Sequence, residues 1–154
     1  EEAKTGTGME ADQKIRARNR AIIDDVDANL TNLIGDFEIW QPLKSESDTK
    51  MSDVRCSINL ITVSGIPFKY EFSISSKTLQ DICLFIKFTC VQENLERLKE
   101  FFGPNPLDNE IPPVINDKGY EYVCMNIPED KAVEVITEKV KEVHGKLKTK
   151  GYIV

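Results

Sequence analysis

Residues 54–91 read VRCSINLITVSGIPFKYEFSISSKTLQDICLFIKFTCV and contain three segments in which apolar and polar residues alternate. Alternation with a period of two is typical of a β-strand that has one face on a core and the other face in solvent. The segments are residues 54–60, 68–74 and 82–90, and a short turn at 64–67 joins the first two. Short connections favour antiparallel neighbours, so this stretch predicts an antiparallel meander.

The third segment carries apolar residues on both of its faces. Its even positions from 82 to 90 are all apolar, and Cys83, Phe85 and Val91 add apolar character to the other face. A strand of this kind is typical of the middle of a sheet or of a sheet beneath a second layer. If no second layer covers it, the face around Phe85 is an exposed patch suited to a partner or to self-association.

Helical periodicity flanks the meander on both sides. Residues 10–34 and 92–102 each carry one apolar stripe, and the clearest stripe in the chain consists of Val133, Ile136, Val140, Val143 and Leu147. A strand-like piece at 37–41 and a hairpin over 114–127 complete the order α-β-β-β-β-α-(β)-β-α. We expect an α+β fold in which an antiparallel β-meander sheet has its helices packed on one face.

The length of 154 residues is that of one domain. We expect a flexible N-terminal segment at 1–9 and a single α+β domain over 10–154. The stretch KSESDTK at 44–50 has no apolar residue and is predicted to be a mobile loop.

The charge balance argues against nucleic acid and against anionic membranes as partners. Twenty Lys and Arg against 26 Asp and Glu give a net charge of -6, and phosphate affinity needs a basic surface. Residues 51–91 are nearly neutral, because their three acids face four bases. The predicted sheet is therefore the least repulsive surface for a protein partner.

Targeting and redox signals favour a cytoplasmic protein. No apolar run approaches the ~18 residues of a membrane span, and the N-terminus lacks the apolar core of a signal peptide. The four cysteines form no C-x-x-C pair, so we expect reduced thiols in buried positions.

Catalytic patterns are missing from the sequence. The single histidine, His144, lies beside the apolar stripe of the last helix and is interpreted as a solvated edge residue. The cysteines occupy apolar strand positions, where burial raises the pKa of a thiol instead of activating it. Neither zinc nor calcium spacing occurs, and Gly6-Thr7-Gly8 is no phosphate loop. We expect no enzyme, no cofactor and no metal.

Two surfaces remain as candidates for binding a partner. On the first helix, Arg16 and Arg20 share a face near Ile22, within the basic run KIRARNR at 14–20. On the sheet, Phe85, Lys87 and Val91 lie on the face opposite the predicted core. The alternative interpretation is an ordinary amphipathic helix edge and an ordinary core.

The hairpin around Asp117-Lys118-Gly119, the strand at 120–127, Pro128 and the helix that follows resemble the C-terminal half of type III secretion chaperones and of YbjN-like proteins. That resemblance implies a cytoplasmic homodimer that holds a client and catalyses nothing. The passage from helix to strand over residues 30–39 resembles RWD-type domains of kinetochore and related scaffold proteins, although the expected proline-rich tyrosine motif is missing after the third strand.

The leading hypothesis is a non-enzymatic protein-interaction module, chaperone-like or an adaptor, that forms a homodimer and binds a protein segment through its sheet face or its first helix. The alternatives are an RWD-type scaffold domain, or a regulatory protein that binds a small molecule or nucleotide between sheet and helices. For that last alternative the candidate anion contacts are Arg16, Arg20, Arg55, Lys69 and Lys87.

Overall fold

The computed structural model describes residues 2–42 and 52–153, and the side chains of residues 12–42 and 52–153. The predicted loop at 44–50 lies outside the described residues. Within these ranges the helices are α1 (Glu2–Leu30), α2 (Gln92–Phe102) and α3 (Ala132–Thr149). The strands are β1 (Glu38–Trp40), β2 (Val54–Ile61), β3 (Pro67–Ser75), β4 (Cys83–Thr89), β5 (Val114–Ile115) and β6 (Gly119–Cys124).

The six strands form one antiparallel sheet in the order β1-β2-β3-β4-β6-β5. The first four strands are the predicted meander. The final hairpin then folds back, so that β6 pairs with β4 and the two-residue β5 lies at the edge. The predicted α+β class and antiparallel sheet are confirmed.

The core lies on the face formed by the even-numbered positions of β2, β3 and β4. Cys56, Phe72, Ile86 and Tyr122 are consecutive register partners across four strands, and all are buried. Helices α1 and α3 contact each other, and α1 contacts β2, above this face. The alternation predicted from residues 54–91 therefore sorts the side chains into a covered and an uncovered face.

Helix α1 begins at Glu2, eight residues before the predicted start, and it ends at Leu30 before a turn at 31–34. The flexibility of segment 1–9 stays a prediction.

Hydrogen bonds of Asn19 and Arg18, here called the polar lock, join the middle of the helix to residues next to β2 and β3. Asn19 is fully buried, and its amide donates to the Ser52 carbonyl at 2.9 Å and to Ser76 Oγ at 3.2 Å. Next to it, the Arg18 guanidinium donates to the Leu79 carbonyl.

Helix α2 closes one end of the core with an aromatic cluster. The Phe102 ring lies edge-on to Phe68 at 5.5 Å, to Tyr120 at 5.9 Å and to Tyr152 at 5.1 Å, measured between ring centroids. The Tyr120 hydroxyl donates to the Gly103 carbonyl at 2.5 Å, at the end of the helix. Buried tyrosines need such a partner for their polar end.

The start of β6 depends on a glycine. Gly119 has a φ of +144°, and a Cβ at this position would lie 2.0 Å from the Phe88 carbonyl oxygen. The Asn116 side-chain oxygen accepts hydrogen bonds from the amides of Lys118 and Gly119 at 2.8 and 3.2 Å. The close approach of β6 to β4 therefore requires the absence of a side chain.

Candidate interaction surface

The second face of the sheet, here called the open face, carries the odd-numbered side chains of β2, β3, β4 and β6. Most buried apolar residues of α1, α2 and α3 belong to the core cluster on the other face, and among residues 2–42 and 52–153 the strand contacts that place a helix put α1 on that core face. Val123 is 47% exposed and Phe85 is half-buried, although the two are direct register partners in the middle of the sheet.

A row of four residues crosses the open face at one level and is here called the charged row. Ser57, Glu71, Lys87 and Glu121 are consecutive register partners on β2, β3, β4 and β6. Among the described residues, no ion pair within 4.0 Å involves any of the three charged members. Their charges alternate in sign and are open to an external partner.

The next row of residues across the open face, one level along the strands, carries two aromatic side chains. Trp40, Arg55, Ser73, Phe85 and Val123 are consecutive register partners from β1 to β6. The Arg55 guanidinium carbon lies 4.8 Å from the Trp40 ring centroid, and the Lys87 ammonium of the charged row lies 5.9 Å from that of Phe85. Rings covered by cations and still reachable from solvent are typical of binding surfaces that desolvate on contact.

The open face is electrically neutral in a protein of net charge -6. Six charged side chains of the strands lie on this face, three acids and three bases. They are Glu38, Arg55, Lys69, Glu71, Lys87 and Glu121. The acidity of the protein therefore belongs to its other surfaces.

A groove of about 550 Å³ runs along one end of the open face, beside the turn at 116–119. It brings together Arg55, Lys69 and Lys87, three of the five predicted anion contacts, and places Glu71 and Glu121 among them. Carboxylates between the cations reduce the attraction for a phosphate group, so the groove suits a mixed-charge protein surface better than a nucleotide.

The predicted sheet residues lie together. Phe85 and Lys87 are on the open face, and Val91, which is 57% exposed, lies just beyond the end of β4. Val91 lines a shallow groove of about 390 Å³ with Lys69 and Thr89, which continues the open face toward α2.

The predicted residues of the first helix do not join this surface, because α1 covers the opposite face. The Arg16 guanidinium donates to the Pro42 carbonyl at 3.0 and 2.7 Å, and Arg20 is paired with Asp24 at 2.9 Å on the helix surface. Ile22 is 7% exposed and belongs to the core. Its selection as a partner contact is corrected, since its side chain packs inside the protein.

The interpretation of His144 as a solvated edge residue is wrong. His144 is 8% exposed, its ring stacks on Tyr70, and its Nδ1 is buried without a hydrogen-bond partner among the described residues. Burial, reinforced by the Lys148 ammonium, lowers the pKa of His144. The side chain lines a cleft of about 450 Å³ with Ile34, Leu60 and Lys148. Its burial and its stack on Tyr70 make the imidazole part of the packing between α3 and the sheet.

The thiols follow the predicted pattern in part. Cys56 is buried, and Cys83, Cys90 and Cys124 are partly buried. Burial raises the pKa of Cys56 and, less strongly, that of Cys90. Both thiols are therefore protonated at neutral pH and poor nucleophiles.

A cavity of about 200 Å³ lies between α3, the strands β4 and β6, and the segment at 107–109. Leu84, Ile86 and Val143 line it from the core, and Lys139 and Lys146 line it from α3. The Lys146 ammonium donates to the Leu107 carbonyl at 3.3 Å and lies 3.6 Å from Glu142. In the described part of the chain Lys139 has no ion pair within 4.0 Å.

Sequence reasoning missed the other half of the open face. Trp40, Glu71, Glu121 and Val123 complete it, and none of them was singled out as a contact. The available signal was the odd-numbered alternation itself, which places 55, 71 and 87 on the face opposite the core. The register that aligns Glu71 with Lys87 and Glu121 is a property of strand pairing and cannot be seen in one strand.

Across residues 2–42 and 52–153 there is no cluster of three or more His, Cys, Asp or Glu side chains placed to hold a metal ion. Over the same residues no helix combines the length and the apolar character needed to cross a bilayer. Compared with protein-family models, with curated proteins and with solved structures, the chain gives no match.

Proposed function

We propose that this protein is a non-enzymatic interaction module that docks another protein surface on the open face of its sheet. The single observation that supports this most strongly is the combination of an uncovered face with a neutral charge balance in a chain of net charge -6. Like-charge repulsion opposes approach of an acidic partner to acidic surfaces, and the neutral open face offers it a low electrostatic barrier.

The distribution of aromatic side chains supports the same proposal. Phe85 and Trp40 supply ring surface next to Arg55 and Lys87, and aromatic and Arg side chains are the residue types that dominate binding energy at interfaces. Val123 and Met125, 47% and 67% exposed, extend the apolar part beyond β6. The first helix is the weaker candidate, because Arg16 and Ile22 are engaged within the fold.

Site-specific photo-crosslinking tests the proposal. A benzophenone side chain at Val123 on the open face is expected to give a covalent adduct with another protein chain, in the purified protein or in an extract of the source cells. The matched control is Val63, which is 54% exposed outside the open face, in the turn between β2 and β3. Adducts at Val63 and none at Val123 would overturn the proposal.

A second candidate function is the binding of a small anion with an apolar body in the cavity beneath α3. The Lys139 ammonium favours it, because in the described part of the chain it has no ion pair within 4.0 Å, whereas the other lysine of the lining, Lys146, is paired with Glu142. The volume of about 200 Å³ is below the ~300 Å³ at which drug-sized sites begin, so a fragment-sized carboxylate fits better than a nucleotide. The predicted anion contacts Arg16, Arg20, Arg55, Lys69 and Lys87 do not line this cavity.

Thermal unfolding with benzoate, hexanoate and AMP as probes tests this second function. A ligand that binds only the folded state raises Tm in a concentration-dependent way. The shift with hexanoate should disappear in Lys139→Ala and persist in Lys141→Ala, whose exposed side chain on α3 does not line the cavity. A shift that survives Lys139→Ala, or no shift with any probe, excludes this role for the cavity.

A further inference from the structure

We infer that the occupant of the open face is a second copy of this chain, packed face to face about a two-fold axis that runs parallel to the strands between β3 and β4. This inference rests on the proposed function, because it names the partner of the same surface. It follows from the order of charges in the charged row.

The geometry of such a dimer can be derived from the register alone. A two-fold axis along the strands places β3 of one copy over β4 of the other and keeps every side chain at its own level along the axis. Glu71 of each copy then faces Lys87 of the other, twice in one interface. Facing sheets lie ~10 Å apart, a distance that these two long side chains span from opposite sides.

The alternative axis is excluded by the same charges. A two-fold axis that runs across the strands along the charged row places each strand over its own copy. Glu71 then faces Glu71 and Lys87 faces Lys87, and juxtaposed like charges are strongly disfavoured in an interface. The alternation of sign therefore selects an axis that runs along the strands. An axis between β3 and β4, the centre of the six-stranded sheet, also overlaps the two sheets fully.

The level next to the charged row fits the same arrangement. Phe85 of one copy faces Ser73 of the other, because these two residues are register partners on β4 and β3. A large ring over a small hydroxyl side chain gives the interdigitation that closely packed sheets require. On the outer strands Arg55 faces Val123, and Ser57 faces Glu121.

The size of the open face is adequate for a dimer. Four central strands at ~4.8 Å spacing and ~3.4 Å per residue cover ~500 Å² in projection, and the short edge strands add to this. The solvent-accessible area of a corrugated surface exceeds its projection, so the face reaches the order of the ~800 Å² per partner that standard interfaces bury. The net charge of -6 on each copy opposes association in general, and the neutral balance of the open face keeps that repulsion low where the two sheets meet.

Charge exchange between Glu71 and Lys87 tests the inference, with molar mass measured by size exclusion and light scattering from about 1 to 200 μM. The native protein is expected at twice 17.5 kDa. Glu71→Lys and Lys87→Glu each bring like charges together at both symmetry-related contacts, so each should raise the dimer Kd at least about tenfold. An equimolar mixture of the two variants restores opposite charges at both contacts and should dimerise.

The double variant Glu71→Lys/Lys87→Glu keeps the cross-strand pair within each chain, so it is expected to fold even if a single variant does not. It should dimerise with itself and not with the native protein. Lys141→Glu is the control, because Lys141 lies on α3 and pairs only with Glu138. Its mass should equal that of the native protein.

The inference is overturned if the native protein has the mass of one chain, 17.5 kDa, at every concentration. It is also overturned if the native protein dimerises and none of the charge exchanges weakens the dimer. Crosslinking at Val123 separates these failures from failure of the proposed function. An adduct with a different protein leaves the open face a docking surface and removes only the second copy. The absence of any adduct at Val123 removes both.

Discussion

The imidazole of His144 lies stacked on the ring of Tyr70, with ring centroids 6.3 Å apart and planes inclined by 18°. The Tyr70 hydroxyl donates to the Val140 carbonyl at 2.9 Å, which ties β3 to the helix that carries the histidine. The stack thus joins the centre of the sheet to α3, and it leaves Nδ1 of the only histidine buried without a described partner.

Acidification should destabilise the protein through this histidine. The pKa of His144 is lowered from 6.5 in the fold, chiefly by burial, so below about pH 6.5 the unfolded state binds a proton that the folded state resists. The contribution of neutral His144 to the free energy of unfolding is therefore fully present above pH 7. It falls as the pH decreases from 6.5 toward the pKa in the folded state, by at most about 1.4 kcal/mol per pH unit. Denaturant unfolding between pH 7.5 and 5.5 should show this fall in the native protein and a flat profile in His144→Gln. A native profile that is equally flat would contradict the effect.

Gly119→Ala should cost about 3 kcal/mol or more, because its Cβ would collide with the Phe88 carbonyl at a φ of +144°. The matched control is Gly145→Ala in the exposed surface of α3, where a Cβ meets nothing within 4 Å. Helix propensity predicts a gain of about 0.5–1 kcal/mol there. Chemical denaturation of both variants measures the contrast, and similar effects at the two sites would argue against the pairing of β6 with β4.

Asn19→Ala should destabilise the fold by about 2 kcal/mol, because it leaves the Ser52 carbonyl without its buried donor and removes one of the two donors to the Ser76 hydroxyl, the other being Arg18. Arg20→Ala, one residue along the helix, removes only an exposed pair with Asp24 and should cost less than about 0.5 kcal/mol. Urea denaturation monitored by circular dichroism measures both. Equal costs would show that the lock is not the feature that holds α1.

Phe102→Ala should cost about 3–5 kcal/mol, since the ring is 3% exposed at the centre of the aromatic cluster. Phe85→Ala removes the same number of atoms from the open face and should cost about 1 kcal/mol when measured on the monomer. Unfolding at low protein concentration keeps association out of the comparison. A loss at Phe85 as large as that at Phe102 would show that a further layer covers the open face.

The sequence predicts the sheet well because β-strand alternation is a local property. Phe68, Tyr70 and Phe72 are each separated by one polar residue, and this pattern alone places them on one buried face. The strand at 82–90 shows the same for Phe85, which the pattern assigns to the opposite face. The antiparallel sheet and the part of the open face around Phe85 are therefore both recoverable from residues 54–91.

The parts that the sequence does not predict depend on contacts between distant segments. His144 is adjacent to the apolar stripe of α3, and only the position of Tyr70 on the sheet decides that it is buried. Ile22 likewise fits either a stripe or an exposed contact until α1 is placed on the core. The opposition of Glu71 and Lys87 needs the register of two strands, which turn geometry and packing set together.

The two strands at the edges of the sheet are short. The edge strand β1 has three residues and β5 has two, so each offers few free backbone hydrogen-bond groups to an incoming strand. Lateral growth, the route by which exposed sheets polymerise into fibres, therefore finds little template at β1 and β5 themselves, and the remaining unpaired edge among the described residues lies at residues 58–61 of β2 and 122–124 of β6. In the dimer that we infer, each open face is occupied by the other copy, so face-to-face assembly stops at a pair instead of continuing as a stack.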